Sequence, residues 1–207
     1  MTIPKLHFKY AYPLDIDRRK LFSSKDFGVY PSIEKIRNRI DEWKKIWNKI
    51  NKSDRVFKLL IKIIGVTLPQ DLELCIFGAG LKAMSFPLMI SIIGSHGKKR
   101  TDDEFVETLI HEVIHRFIGD FENNKNIEKY WKKITKEYKN ETILTQDHIL
   151  VYAILETVLL KLFGKERLKD FINPWQPEYQ RAVAIVAEKG AQNLIKQFRD
   201  IVLGVNL

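Results

Sequence analysis

The chain has 207 residues, of which 45% are hydrophobic, with a formal net charge of +9 at pH 7 and one cysteine. This length supports one good hydrophobic core and is short for two large domains, so we expect a single domain over residues 1–207. The lone Cys75 excludes an internal disulfide and fits a reducing, cytoplasmic compartment. The basic residues are interspersed with acids at helical spacing, which is typical of solvated faces, and no nucleic-acid-binding motif is present.

The first third of the chain predicts an arm followed by two helices. Residues 1–31 contain prolines and scattered aromatics, which favours an irregular or partly extended arm packing onto the body, without a signal peptide. Isoleucine and tryptophan recur at helical spacing from Ser32 to Ile50, so we expect an amphipathic helix with its tryptophans in the core. Ser53 can cap a shorter helix to about Ile64, although the β-branched residues there leave a strand open.

Two short apolar runs then predict a small sheet. Leu72–Phe77 and Pro87–Ile93 are separated by a glycine-containing stretch, which indicates two strands joined by a flexible loop. The compact basic run Lys98–Arg100 follows in a loop.

A helix is predicted at about 102–118. Thr101 and Glu104 form a capping box at its start, and Gly119 fits its C-terminal end. Its apolar residues fall on one stripe at helical period, so one face of this helix is directed to the core and the other is polar.

The polar face of this helix carries His-Glu-x-x-His at positions 111–115, the strongest chemical signal in the chain. Because residues four apart share a helix face, His111 and His115 can direct imidazole nitrogens at one zinc ion. Glu112 lies about 100° further around the helix, where its carboxylate can reach a metal-bound water as a general base.

The second half of the chain is predicted to be helical. A charged helix at about 125–138 precedes the most apolar helix, at about 143–164. The most hydrophobic part, Ile149–Phe163, is about fifteen residues long and carries two charges, so we expect it not to span a bilayer. Further helical pieces in residues 166–207 form a C-terminal extension that is expected to complete the core rather than cover a cleft.

A catalytic zinc site needs a third protein ligand, with water in the fourth position. The downstream candidates are Asp120, Glu122, Asp147, His148 and Glu156. His148, Tyr152 and Glu156 stand at i, i+4 and i+8 on one face of the apolar helix. We favour His148 as the ligand, because imidazole is a common zinc donor, with Glu156 as an orienting group or the rival ligand. Tyr152 is either an oxyanion donor or a half-buried tyrosine.

Residues Thr108 to Phe117 resemble the extended metal-binding signature of zincin metallopeptidases, although Arg116 is charged where that family has an uncharged residue. A second helix that crosses the first and supplies the third ligand resembles the gluzincin branch, in a minigluzincin-like form. The resemblance implies a zincin-like α+β fold, mostly helical, with a small sheet of short strands, a catalytic core at about 55–165 and extra C-terminal helices. It also implies that Leu88–Ile93 aligns a substrate along its free edge.

Together these residues predict a metallopeptidase with one Zn²⁺ per chain, acting on a peptide or protein substrate. Zinc held by the three histidines lowers the pKa of its water, and Glu112 accepts the proton as the water attacks a carbonyl. One alternative is a non-catalytic, zinc-stabilised helical binding or regulatory protein. Another is a basic nucleic-acid-binding protein whose motif is accidental. We expect no nucleic-acid and no membrane partner.

Overall fold

The computed structural model describes residues 3–22, 29–68, 70–80, 82–94, 97–119, 125–171 and 176–204. Over these residues the protein is α+β and mostly helical, with eight α-helices and one small mixed sheet, which confirms the predicted fold class.

The strands are β1 (Leu6–Tyr10), β2 (Leu72–Phe77), β3 (Met84–Ser85) and β4 (Leu88–Ser91). The helices are α1 (Tyr12–Leu21), α2 (Ile33–Ile50), α3 (Arg55–Ile64), α4 (Asp102–Ile118), α5 (Lys125–Glu137), α6 (Ile143–Phe171), α7 (Pro177–Lys189) and α8 (Ala191–Val202). The stretch after Ser53 is therefore the predicted helix and not a strand.

The sheet has the strand order β1-β2-β4-β3. Strand β2 is parallel to both β1 and β4, and β3 forms an antiparallel hairpin with β4. Buried and exposed residues largely alternate along β2, whereas all four residues of β4 are buried. The two predicted apolar runs are thus the two inner strands of the sheet.

The edge of the sheet differs from the expectation drawn from the zincin resemblance. Strand β3 pairs with Leu88 and Met89, so the start of the segment Leu88–Ile93 has neighbours on both sides. A free edge along the whole segment is therefore wrong, because the hairpin folds β3 onto it. The outermost strand on this side is β3.

The N-terminal arm is more regular than its prolines indicate. Strand β1 confirms the partly extended alternative, but α1 contradicts irregular backbone, because Pro13 lies in the first turn of a helix, where a missing N–H costs nothing. The fully buried Asp15 of α1 accepts hydrogen bonds from the Tyr10 hydroxyl at 2.6 Å, the Tyr30 hydroxyl at 2.6 Å and the Gly78 N–H at 2.7 Å. These bonds fix α1 against the ends of β1 and β2.

Local capping determines where two of the helices begin. In α4 the Glu104 N–H donates to Thr101 Oγ1 at 3.2 Å and the Thr101 N–H donates to Glu104 Oε2 at 2.6 Å, which is the predicted capping box. In α2 the Ser32 hydroxyl oxygen accepts from the backbone N–H three residues later, at 3.2 Å. Trp43 and Trp47 of α2 are buried, as expected for core anchors.

Contacts between residues group the chain into two compact units. One consists of Thr2–Arg55 and Pro69–Val113 and holds the sheet; in its core, Phe105 stacks on Trp43 with ring centroids 4.3 Å apart. The other consists of Val56–Leu68 and Ile114–Leu207, and in it α6 packs against α7 and α8. The single domain with a core at 55–165 stays a prediction.

Helix α6 is the longest helix of the described residues and is interrupted once. Gly164 has φ +82° and ψ 174°, so the regular helix breaks where its end was predicted, and helical backbone then continues to Phe171. The span Ile143–Glu166 is 24 residues long, well beyond the fifteen expected, and has the length and mean hydropathy, 1.5, of a membrane-crossing helix. However, 72% of its most apolar window is buried inside the protein, as in the core helix of a folded domain.

Candidate metal centre

Helix α4 carries the two motif histidines. His111 and His115 are four residues apart on this continuous helix, so helix geometry fixes their relative placement. Both are partly buried. The predicted apolar stripe is fully buried, which confirms it as a core face of the helix; its members are Val106, Leu109, Ile110, Val113, Ile114 and Phe117.

His148 of α6 approaches His115 through its ring nitrogen. The two Nε2 atoms are 3.3 Å apart, and the ring planes make an angle of 72°. Two nitrogens bound to one tetrahedral zinc at 2.0–2.1 Å are separated by about 3.3–3.4 Å. Ligand atoms of His111, His115 and His148 all lie within 4.8 Å of one another. The His115–His148 pair is therefore at the spacing of two zinc ligands, and the three histidines together could hold a metal ion.

A backbone carbonyl sets the tautomer of His148. Its Nδ1 lies 2.8 Å from the carbonyl oxygen of Leu144, and because a carbonyl oxygen only accepts, Nδ1 carries the proton. The lone pair is then on Nε2, the nitrogen that is close to His115. This bond has the form that usually orients a metal-binding histidine.

Burial keeps two of the imidazoles neutral. It lowers the pKa of His115 to about 3, with a further contribution from the charge of His148. It lowers the pKa of His148 to about 4, against the opposing effect of the Leu144 carbonyl. At pH 7 both rings are in the neutral form that binds metals.

Glu112, the predicted base, is only 8% exposed. Burial raises its pKa to about 8, and the positive charge of Arg100 opposes that rise. The side chain is a buried carboxyl group next in sequence to one candidate ligand, on the same helix as two of them.

Arg100 belongs to the basic run that was predicted to lie in a loop beside the site, without a role of its own. Its Nη1 donates to Thr108 Oγ1 at 2.7 Å and its Nε donates to the Ser91 carbonyl at 3.3 Å, so it joins the end of β4 to α4. Its charge acts on the carboxyl groups of Glu107 and Glu112. Its position directly before the capping threonine is the one sequence signal that it lies at the start of α4.

The other candidates from α6 lie at different distances from the histidines. The ring of Tyr152, 5% exposed, is centred 6.2 Å from that of His148. Glu156 is half-buried, and burial raises its pKa. Among the described residues, the cluster that can hold a metal consists of the three histidines, without Glu156 or Asp147. Asp120 and Glu122 lie outside the described residues.

Helix α7 adds an aromatic residue that the sequence did not point to. Tyr179 places its ring 4.4 Å from that of His148, at an interplanar angle of 34°, and 6.1 Å from that of Tyr152. No spacing pattern links Tyr179 to a histidine 31 positions earlier, so only the fold reveals this contact.

No protein-family model, no curated protein and no solved structure matches the chain.

Proposed function

We propose that the protein is a zinc-dependent metallopeptidase that hydrolyses peptide bonds. The observation that carries the proposal is the 3.3 Å approach of the Nε2 atoms of His115 and His148, with His111 on the same helix face as His115. Three histidines are the protein ligand set of a hydrolytic zinc site, which leaves a fourth position for water.

Glu112 supplies the proton transfer in this proposal. His111, His115 and His148 would hold the zinc ion, which would polarise a carbonyl and lower the pKa of a water molecule. In its ionised form Glu112 accepts the proton of the attacking water and returns it to the nitrogen of the leaving amine. Because burial raises its pKa to about 8, the population of this form grows as the pH rises towards 8. The burial of Glu112 limits exchange of that proton with bulk solvent during the reaction.

The substitution Glu112→Gln tests this function. It removes the proton acceptor and leaves the ligands, so we expect one zinc per chain and a fall in peptide turnover of about 10²–10⁴-fold. Zinc is measured by elemental analysis and turnover with a mixture of quenched fluorescent peptides. The control is Glu107→Gln, another largely buried acid of α4, which should keep most of the turnover. Equal turnover in Glu112→Gln and wild type would contradict the proposal.

A second candidate is a non-catalytic protein in which zinc stabilises the helices. The observation that favours it is the 6% exposure of His148, since burial of a ligand restricts the access of a substrate to the ion. One zinc per chain without hydrolysis of any peptide in the mixture would support this function and contradict the first.

A further inference from the structure

We propose that Tyr179 is a positioning residue for His148, the third candidate ligand. This inference rests on the proposed metal site and concerns how the C-terminal helices maintain it. The two rings are 4.4 Å apart at 34°, the shortest aromatic contact of His148 within the described part of the chain.

The first turn of α7 holds Tyr179 in place. Pro177 opens the helix, and the carbonyl of the buried Gln176 accepts the Tyr179 N–H at 3.1 Å. The hydroxyl of Thr145 donates to the Glu178 carbonyl at 3.2 Å, so this turn is bonded to α6 three residues before His148. The tyrosine and the histidine therefore sit on backbone segments that are tied to each other.

Two contacts then restrict the imidazole in different directions. The Leu144 carbonyl holds Nδ1 in the plane of the ring at 2.8 Å, and the Tyr179 ring covers one face. The hydrogen bond alone leaves the ring free to tilt about the N–H···O direction, and the aromatic face opposes that tilt. Nε2 is thereby kept directed at His115 before a metal binds. Such supporting contacts commonly change metal affinity by about 10–100-fold.

The contact with His148 is made by the aromatic ring of Tyr179, so the proposal assigns the role to the ring. We therefore expect Tyr179→Phe to bind Zn²⁺ within about twofold of wild type and Tyr179→Leu to bind about 10–100-fold more weakly. Leucine keeps apolar bulk, which limits loss of folding. The matched control is Tyr138→Leu, a half-buried tyrosine of the same compact unit, which should bind Zn²⁺ like wild type.

Affinity is measured by competition of the metal-free proteins with a chromophoric chelator for Zn²⁺, and ligand geometry by the visible absorption spectrum of the Co²⁺ forms. A changed Co²⁺ spectrum in Tyr179→Leu alone supports the positioning role. The role is overturned if Tyr179→Leu matches wild type, or if Tyr179→Phe loses as much affinity as Tyr179→Leu. Wild type that binds Zn²⁺ but cleaves no peptide overturns only the proposed peptidase, and wild type that binds no Zn²⁺ overturns both.

Discussion

At His148, a hydrogen bond and burial act on different properties of one ring. The Leu144 carbonyl selects the tautomer, and burial keeps the ring neutral by lowering its pKa to about 4. Glu156, two helical turns further along, lies outside the cluster of side chains that could hold a metal ion, and burial raises its pKa. The geometry thus favours the histidine over Glu156 as the third ligand.

The two rival ligands can be separated by substitution. We expect His148→Ala to lose most of the bound zinc, because it removes one of three donor nitrogens, and Glu156→Ala to keep one zinc per chain. Elemental analysis after dialysis against zinc-free buffer measures both. Full zinc retention in His148→Ala, with loss in Glu156→Ala, would reverse the assignment.

The largely buried carboxyl group of Glu107 should make the stability of the folded protein depend on pH. Burial raises its pKa to about 8, so the folded protein binds this proton more tightly than the unfolded chain does. The resulting stability is present below the unfolded pKa, near 4.5, and is lost as the pH rises towards 8. Glu107→Gln stays neutral, so in EDTA its melting temperature should fall by a few degrees less than that of wild type between pH 5 and 8.

The exposed Glu34 provides the control, because Glu34→Gln should follow the wild-type curve. The pKa of Glu112 is raised in the same direction. Because Glu112 is present in every protein compared, its contribution to the pH dependence of stability is the same in all of them and cancels. Parallel curves for Glu107→Gln and wild type would contradict the assignment.

At the scale of the elements, α6 contains one residue in a backbone conformation that residues with a side chain rarely adopt. Gly164 has φ +82° and ψ 174°, a region that glycine alone occupies readily, and no atom lies within 4 Å of the place where a Cβ would be. Gly164→Ala should therefore lower the free energy of unfolding by about 1–3 kcal/mol through strain alone.

Urea denaturation measures this effect, with Lys165→Ala, the exposed neighbour, as the control that should stay within about 0.5 kcal/mol of wild type. A Gly164→Ala protein as stable as the Lys165→Ala control would mean that the helix does not require the left-handed backbone conformation at residue 164.

Elements whose ends are set locally could be predicted closely. The capping box and the apolar stripe determined α4, and Ser32 determined the start of α2, because these interactions join residues three or four apart. Helix α1 and the pairing of β3 escaped prediction, because a proline permits both a break and a helix start, and a two-residue strand has no periodicity.

The residues of the candidate site also fall into two groups, those that spacing along a helix predicts and those that it does not. His111 and His115 were predicted from one helix face and His148 from the polar stripe of α6, and the three side chains lie together. Arg100 and Tyr179 were missed because their contacts, to Ser91 and His148, come from the tertiary fold and not from spacing along one helix.

For the whole molecule, zinc should act as a stabilising ligand. Free Zn²⁺ at 1,000 times its dissociation constant adds about 4 kcal/mol to the free energy of unfolding, provided that the unfolded chain does not bind it. For a protein of this size that corresponds to about 8–16 °C in melting temperature. Thermal denaturation with and without Zn²⁺ measures the rise, which His111→Ala should abolish and Mg²⁺ should not reproduce. An equal rise in His111→Ala would place the zinc elsewhere.

The order of the site residues along the chain also has a consequence during synthesis. Tyr179 follows His115 by 64 positions, and His148 lies between them. At 5–20 residues per second, the ribosome makes Tyr179 about 3–13 s after His115. A nascent chain thus carries the motif histidines and Glu112 well before the contacts that complete and hold the third ligand. The proposed hydrolytic centre can therefore be completed only after the first turn of α7 has been made.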